Sequence, residues 1–421
     1  MSFFLKGNKV NIYHFFGQGL FFVAILSVLT ASTGGLLVGD GFHIGLIRNV
    51  TTNMLLMLFL LSNKIELYYV SRSILLLSIY LLLLIPFSSD PYYSLHAGYM
   101  RMIPHMLLFL VAFKYFKSFS ELYKLVRLYA LLISPLVLNF ILGQLYSVGH
   151  SAYVEGTLYL GYARIGITNL VSILILPSLL FLHWNKRKSI RIATYAFIFI
   201  CLAFVLLVMK RTGIIALFIG FFVYFIYMPQ KPKTFIKISI VAVIIFAGFT
   251  FTGTLDNIFR PRYEARVGER RPIEEEGRTR DIQYSIKEFI EGDIWHRLFG
   301  SEVFNSKQYF GPKYYGRSRM IHGDLTKIFY GAGIVGLFLY VNVFVALFVS
   351  FRKMFKYLKK SKDAYIVRAV FNGVLSAYFI MLLPGAGQTS TSLAFLILGA
   401  IMGSCYHEIK YQSASSKYEK E

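Results

Sequence analysis

The segment HGDLTKIFYGAGIVGLFLY, from His322 to Tyr340, sets an imidazole and a carboxylate immediately before a long apolar run. Imidazole accepts a proton near neutral pH, so His322 is a candidate general base, with Asp324 its candidate hydrogen-bonding partner. A lone histidine at a helix entrance serves equally well as a cap or a hydrogen-bonded surface group, and the residues alone leave both readings open. Arginine is the second chemical theme. Arg48, Arg101, Arg164 and Arg211 stand at the ends of apolar runs with few acids near in sequence, while Arg278 and Arg280 open a charged stretch. The planar guanidinium matches a phosphate with two parallel hydrogen bonds and tolerates desolvation better than lysine. Gathered at one mouth of a helix bundle, such arginines suit an anionic headgroup such as a lipid pyrophosphate. The stretch YFGPKYYG adds Tyr314 and Tyr315. Their rings suit sugar faces and equally suit the membrane interface.

Other chemistry finds less support. No close constellation of His, Cys and Glu has the spacing of a metal site. Asp281, Glu288 and Asp293 lack an obvious pairing for a carboxylate dyad, and Glu274-Glu275-Glu276 reads as a solvated acidic run. The two cysteines, Cys201 and Cys405, lie far apart inside apolar runs and read as small buried apolar residues.

The elements that must position these groups belong to a membrane. Hydrophobic residues make up 56% of the 421 and charged residues only 15%, against roughly a quarter charged in a soluble domain. About twelve runs are long enough to cross about 30 Å of hydrocarbon: 15–37, 44–62, 67–87, 97–113, 122–146, 164–182, 191–209, 212–228, 235–254, 328–351, 367–384 and 390–406. The first is too long for the core of a signal peptide and is expected to stay as an anchor. The fold class is therefore an all-α polytopic membrane protein, with helices 1–9 in residues 1–254, a large lobe over 255–325, and helices 10–12 with a tail in 326–421.

Charge orients the chain. With the amino terminus inside, the cytoplasmic segments hold 25 Lys and Arg against six acids, which is the positive-inside pattern. The net charge of +23 is thereby explained by topology, and nucleic acid is not an expected partner. The two sides also differ in cation type. Arginine supplies 6 of the 25 inside cations and 14 of the 19 outside, ten of them in the lobe. The lobe balances thirteen basic against twelve acidic residues, so its arginines also have acids with which to pair. Within it, Ile282, Ile286, Phe289 and Ile290 have the spacing of an amphipathic helix. Arg278, Thr279 and Asp281 fall at its start, and the helix is expected to lie along the membrane surface or cap the bundle.

Three stretches together resemble the bacterial O-antigen polymerases of the O-antigen ligase and polymerase superfamily. KRTGIIALFIGFFVYF (Lys210–Phe225) is similar to the arginine-threonine-glycine start of a helix before the large outer loop. GRTRDIQYSIKEFIEGDIWHRLFGSEVF (Gly277–Phe304) resembles the family's glycine-arginine, helix and glycine-containing turn, and the His322 segment its histidine before a glycine-bearing apolar run. Gly323 stands where many members have asparagine, and Lys210 where a serine is common.

The resemblance implies metal-independent, cofactor-free, inverting glycosyl transfer at the outer face of the bacterial inner membrane. The donor would be an oligosaccharide on undecaprenyl pyrophosphate and the acceptor a sugar hydroxyl. Arg211 and Arg278 match the family's pyrophosphate-holding arginines and His322 its catalytic-region histidine. Arg164, Arg280, Arg101, Arg48, Asp324, Tyr314 and Tyr315 complete the expected substrate-binding set. The chemistry is compatible, because a lipid pyrophosphate leaves as a stable anion and needs positive charge where negative charge develops. The resemblance favours a polymerase, commonly paired with a chain-length regulator. The alternatives are a ligase that passes polymer to lipid A core and, from another class, a flippase or transporter, although no related halves are evident in the sequence.

Overall fold

The computed structural model describes residues 12–33, 44–63, 68–149, 167–228 except 209, 277–358 and 361–418 except 384 and 386, with isolated positions between them. Among the described residues eight long helices precede the charged stretch: α1 (Ile12–Ser32), α2 (Ile44–Ser62), α3 (Tyr69–Leu84), α4 (Met100–Tyr115), α5 (Phe119–Tyr146), α6 (Ile167–Trp184), α7 (Lys188–Val208) and α8 (Arg211–Tyr227). Three shorter ones follow, α9 (Gly277–Glu291), α10 (Ile294–Phe299) and α11 (Phe310–Tyr315). The chain then returns through α12 (Asp324–Tyr357), α13 (Lys362–Leu382) and α14 (Gln388–Tyr418). Among the described residues there is no strand.

Among the described residues ten helical stretches are long and apolar enough to cross a membrane, and α8 is a shorter apolar helix. The chain is an all-α, multi-pass membrane protein. Eleven of the twelve expected runs thus coincide with a helix, while 235–254 falls largely outside the described residues. Helix starts follow local chemistry. Ser118 caps α5 by accepting from the Glu121 N–H at 3.3 Å, while Glu121 accepts from the Lys117 N–H, and Ser361 caps α13 through the Ala364 N–H at 3.1 Å. The core is continuous through the bundle. Leu393–Leu398 of α14 are buried, and α14 packs on α4 while α13 packs on α8.

One feature of α12 controls what lies above it. Gly333 has φ 64° and ψ −166°, so the helix is broken there into 324–332 and 334–357. Residues 334–357 alone run about 36 Å, enough to cross about 30 Å of hydrocarbon. The break has an identifiable cause. Gly300, itself at φ 75°, lies backbone-to-backbone on residues 331–333, and a Cβ on Gly333 would sit 2.4 Å from the Leu298 carbonyl oxygen. Only glycine offers both the left-handed φ and the close approach. Carbonyls left at the break find new donors: the Ser301 N–H reaches Tyr330 O at 3.0 Å and the Tyr80 hydroxyl reaches Ala332 O at 2.7 Å.

The same turn anchors the charged segment to the bundle. Glu302, in the left-handed region at φ 58°, accepts from Ser88 Oγ at 3.0 Å, Ser89 Oγ at 2.9 Å, Ser89 N at 3.1 Å and Asn305 Nδ2 at 2.9 Å. A carboxylate surrounded by neutral donors pins 300–305 onto the turn that follows α3.

Candidate active site

The site is built where α9 meets the residues leading into α12. Asp281, one turn into α9, is buried, and its Oδ2 lies 3.3 Å from His322 Nδ1. The His322 backbone N–H donates to the same oxygen at 3.3 Å. The Tyr315 hydroxyl donates to Oδ1 at 2.7 Å, and Arg319 Nη2 stands 3.3 Å from it. Arg319 also donates to Gly277 O at 3.0 Å, and its guanidinium stacks 4.0 Å from the centre of the Tyr315 ring. Burial acts to raise the Asp281 pKa. The hydrogen bonds from His322 and Tyr315 and the Arg319 charge outweigh it and hold the carboxyl below its ordinary range. An ionised Asp281 therefore fixes His322 with Nδ1–H toward the carboxylate, which leaves Nε2 as the proton acceptor.

Exposure separates the two partners. The Asp281 side chain is 2% exposed and that of His322 51%, so a sheltered charge orients an accessible ring. The segment bearing His322 rests on the α13–α14 link. A Cβ on Gly323 would meet the Leu383 carbonyl oxygen at 2.5 Å, and one on Gly385 the His322 carbonyl oxygen at 2.2 Å. This packing accounts for glycine at 323, where an asparagine would collide with backbone.

The other expected residues distribute as follows. Arg278 is exposed and Arg280 half-buried in the first turn of α9, the turn that ends at Asp281. Arg211 is exposed at the first position of α8, whose Gly213 carbonyl accepts from Ser172 of α6 at 3.3 Å. Arg101 is exposed in the first turn of α4, whereas Arg48 is buried one turn into α2. Arg48 Nη2 donates to Asn49 Oδ1 at 2.8 Å, which lies 3.2 Å from His105 Nε2, and His105 Nδ1 is 2.8 Å from Ser392 Oγ in the first turns of α14. This polar chain runs into the bundle beneath the link that supports His322. Asp324 lies 3.6 Å from Lys327, so the carboxylate that meets His322 Nδ1 is Asp281. Tyr314 and Tyr315 are half-buried. Tyr314 stacks on Tyr284 with ring centres 4.4 Å apart and donates to Glu288 at 2.7 Å, beside the Lys313–Glu288 ion pair. Their rings thus build a small aromatic core with Phe310 and Tyr330. Arg164 lies outside the described residues.

Sequence reasoning missed Asp281 and Arg319 as site members. The available signal was Asp281 four residues before Ser285 on the polar side of α9, a side that the isoleucine spacing had marked as facing away from the apolar one. Among the described residues no three of His, Cys, Asp and Glu converge as a metal site.

Residues 196–341 match the protein-family model described as O-antigen ligase. No curated protein matches the chain. The matched stretch runs from α7 into α12 and contains Arg211, Arg278, Asp281, Arg319 and His322. The convergence of its separated motifs on one end of the bundle agrees with that match. Over residues 196–341, from α7 into α12, the chain is thus similar to the O-antigen ligase family.

Proposed function

We propose that the protein polymerises surface-polysaccharide repeat units at the outer face of the inner membrane. The growing oligosaccharide moves from its undecaprenyl pyrophosphate to a hydroxyl of an incoming lipid-linked unit. His322 Nε2 takes the proton of that hydroxyl as its oxygen attacks the anomeric carbon. The bond from that carbon to the pyrophosphate oxygen breaks with inversion, and its electron pair leaves with the pyrophosphate. Asp281 holds the imidazole in the required tautomer and stabilises the imidazolium that forms. Arg278, Arg280 and Arg211, with Arg101 and Arg48 at the same mouth, supply charge to the leaving group, and Arg164 is assigned the same role from its sequence position. Residues 255–325 form the periplasmic lobe in this reading. The observation that carries it is the exposed His322 ring held by a buried, ionised Asp281 beside arginine-bearing helix starts.

The family description favours a second reading, a ligase with the same chemistry and lipid A core as acceptor. Gel analysis of the surface polysaccharide from a deletion strain separates them. Polymerase loss leaves one repeat unit on the core. Ligase loss leaves none, while lipid-linked polymer accumulates. Units trapped on the inner leaflet would overturn both in favour of transport.

A further inference from the structure

The α9–α10 pair carries an apolar face that the described chain leaves open. Ile282, Ile286 and Ile290 recur every four residues along α9 and are 46%, 45% and 62% exposed, and Ile294 and Trp295 extend the row onto α10 at 60% and 66%. The row is held straight. Arg297 of α10 donates to the carbonyls of Phe289 at 3.0 Å and Ile290 at 2.6 Å, closing the end of α9. Asp293 caps α10 through the His296 N–H at 2.8 Å. Five large apolar side chains therefore form one surface on a joint that is tied at both sides.

Two observations identify what covers it. The first is position. Phe289, about 60° round α9 from Ile286, packs on Phe329 of α12 with ring centres 5.2 Å apart, and α10 ends against the break at Gly333. Just past the break, α12 exposes Ile334 and Phe338, on a helix that crosses the bilayer. The isoleucine row thus borders a lipid-facing surface. The second is the distribution of charge around α9. One flank of the row meets α12, and the other carries Gln283 and the exposed Lys287–Glu291 pair at 3.8 Å. Asp281 and Ser285 on the remaining side are buried against the site. An apolar stripe with a charged flank and a tryptophan at its end fits the boundary between headgroups and acyl chains.

We propose that α9 and α10 lie in that boundary layer, with the isoleucine row and Trp295 against lipid. This seating holds Asp281 and Arg278 level with the lipid headgroups. The proposal stands apart from the catalytic reading, because its test uses no activity. Trp184 and Trp295 are the two tryptophans of the chain, so Trp184→Phe in the full-length protein makes Trp295 the reporter. Trp184 lies at the other end of the bundle, where it donates to Asp363 and packs on Phe119 and Tyr123, and Trp184→Tyr, excited where tyrosine does not absorb, replaces it if the first variant folds poorly. The protein is reconstituted into phosphatidylcholine vesicles with or without bromine on the acyl chains close to the headgroup. Brominated lipid should extinguish most Trp295 emission, iodide in the water should leave most of it, and Trp295→Phe should remove the signal. Quenching by iodide without quenching by bromine places the face in water and overturns the proposal. Quenching by neither means that protein covers it, and overturns the proposal as well.

Discussion

The contact between His322 and Asp281 makes two separable predictions, because one residue meets the proton and the other only holds the ring. As a general base His322 contributes roughly 10²–10⁴ in rate, so His322→Ala should nearly abolish polymer at unchanged protein level. His322→Gln keeps a hydrogen bond but takes no proton, and should be as inactive as His322→Ala. Partial rescue by Gln would reduce His322 to an orienting role. Asp281 is read by stability as well as by activity. Its folded pKa is depressed by His322, Tyr315 and Arg319 against the opposing effect of burial. Its stabilising contribution is therefore fully present above the unfolded carboxyl value, about 3.9, and lost as pH falls through the lower folded value. Asp281→Asn should lower Tm at neutral pH and flatten the loss of Tm below about pH 4, and polymer should fall with it. An unchanged acid profile would mean that Asp281 carries no such linkage. At this scale the sequence showed the histidine and arginines, whose chemistry is in their side-chain type. It did not show Asp281 as the partner, since 41 positions separate it from His322 and only the fold brings them together.

At the scale of elements, the break at Gly333 and the turn at Gly300 are one device that sets the height of α10 and the entry of α12. Gly333→Ala forces a β-carbon into a left-handed conformation and onto the Leu298 carbonyl oxygen, whereas Gly316, at φ 62°, has open space around it. Gly316→Ala should show only the cost of backbone strain, of order 1–3 kcal/mol. Gly333→Ala should lower Tm further and reduce polymer as the first turns of α12, which directly follow His322, are displaced. Equal effects of the two substitutions on Tm would show that the crossing at 331–333 is not tight. Hydropathy located the runs at 44–62 and 67–87 well, because a membrane span needs length and apolar composition and little else. The break was hidden inside the run 328–351, since hydropathy does not register φ and ψ. The same limit applied to α9. Its amphipathic spacing was legible, but Phe289 faces α12 while the three isoleucines remain exposed, a division set by tertiary contacts rather than by period.

For the whole molecule, the positions of lysine and arginine become informative once the two ends of the bundle are known. α12 runs from Asp324, beside the site, to Tyr357, and α13 returns to the link at 383–387 that supports His322. Lys353 and Lys362 therefore lie at the end opposite His322, in the lysine-rich set, while Arg101, Arg211 and Arg278 lie at helix starts on the His322 end. In the proposed orientation, which follows the positive-inside rule, the lysine-rich end and both termini face the cytoplasm and the lobe faces the periplasm. The native thiols do not interfere with a direct test, as Cys201 and Cys405 are both buried. Single cysteines at the exposed positions Lys307, Arg317, Lys353 and Lys362 can be probed in intact cells with a thiol reagent that permeates the outer membrane but not the inner one. Lys307→Cys and Arg317→Cys should be labelled, and Lys353→Cys and Lys362→Cys only after the inner membrane is opened. The reverse pattern would invert the chain and put His322 on the side where no lipid-linked polymer is assembled in the proposed reaction. Labelling at both ends in intact cells would instead mean that the reagent had entered, and the comparison is decided by repeating it with a larger, charged maleimide.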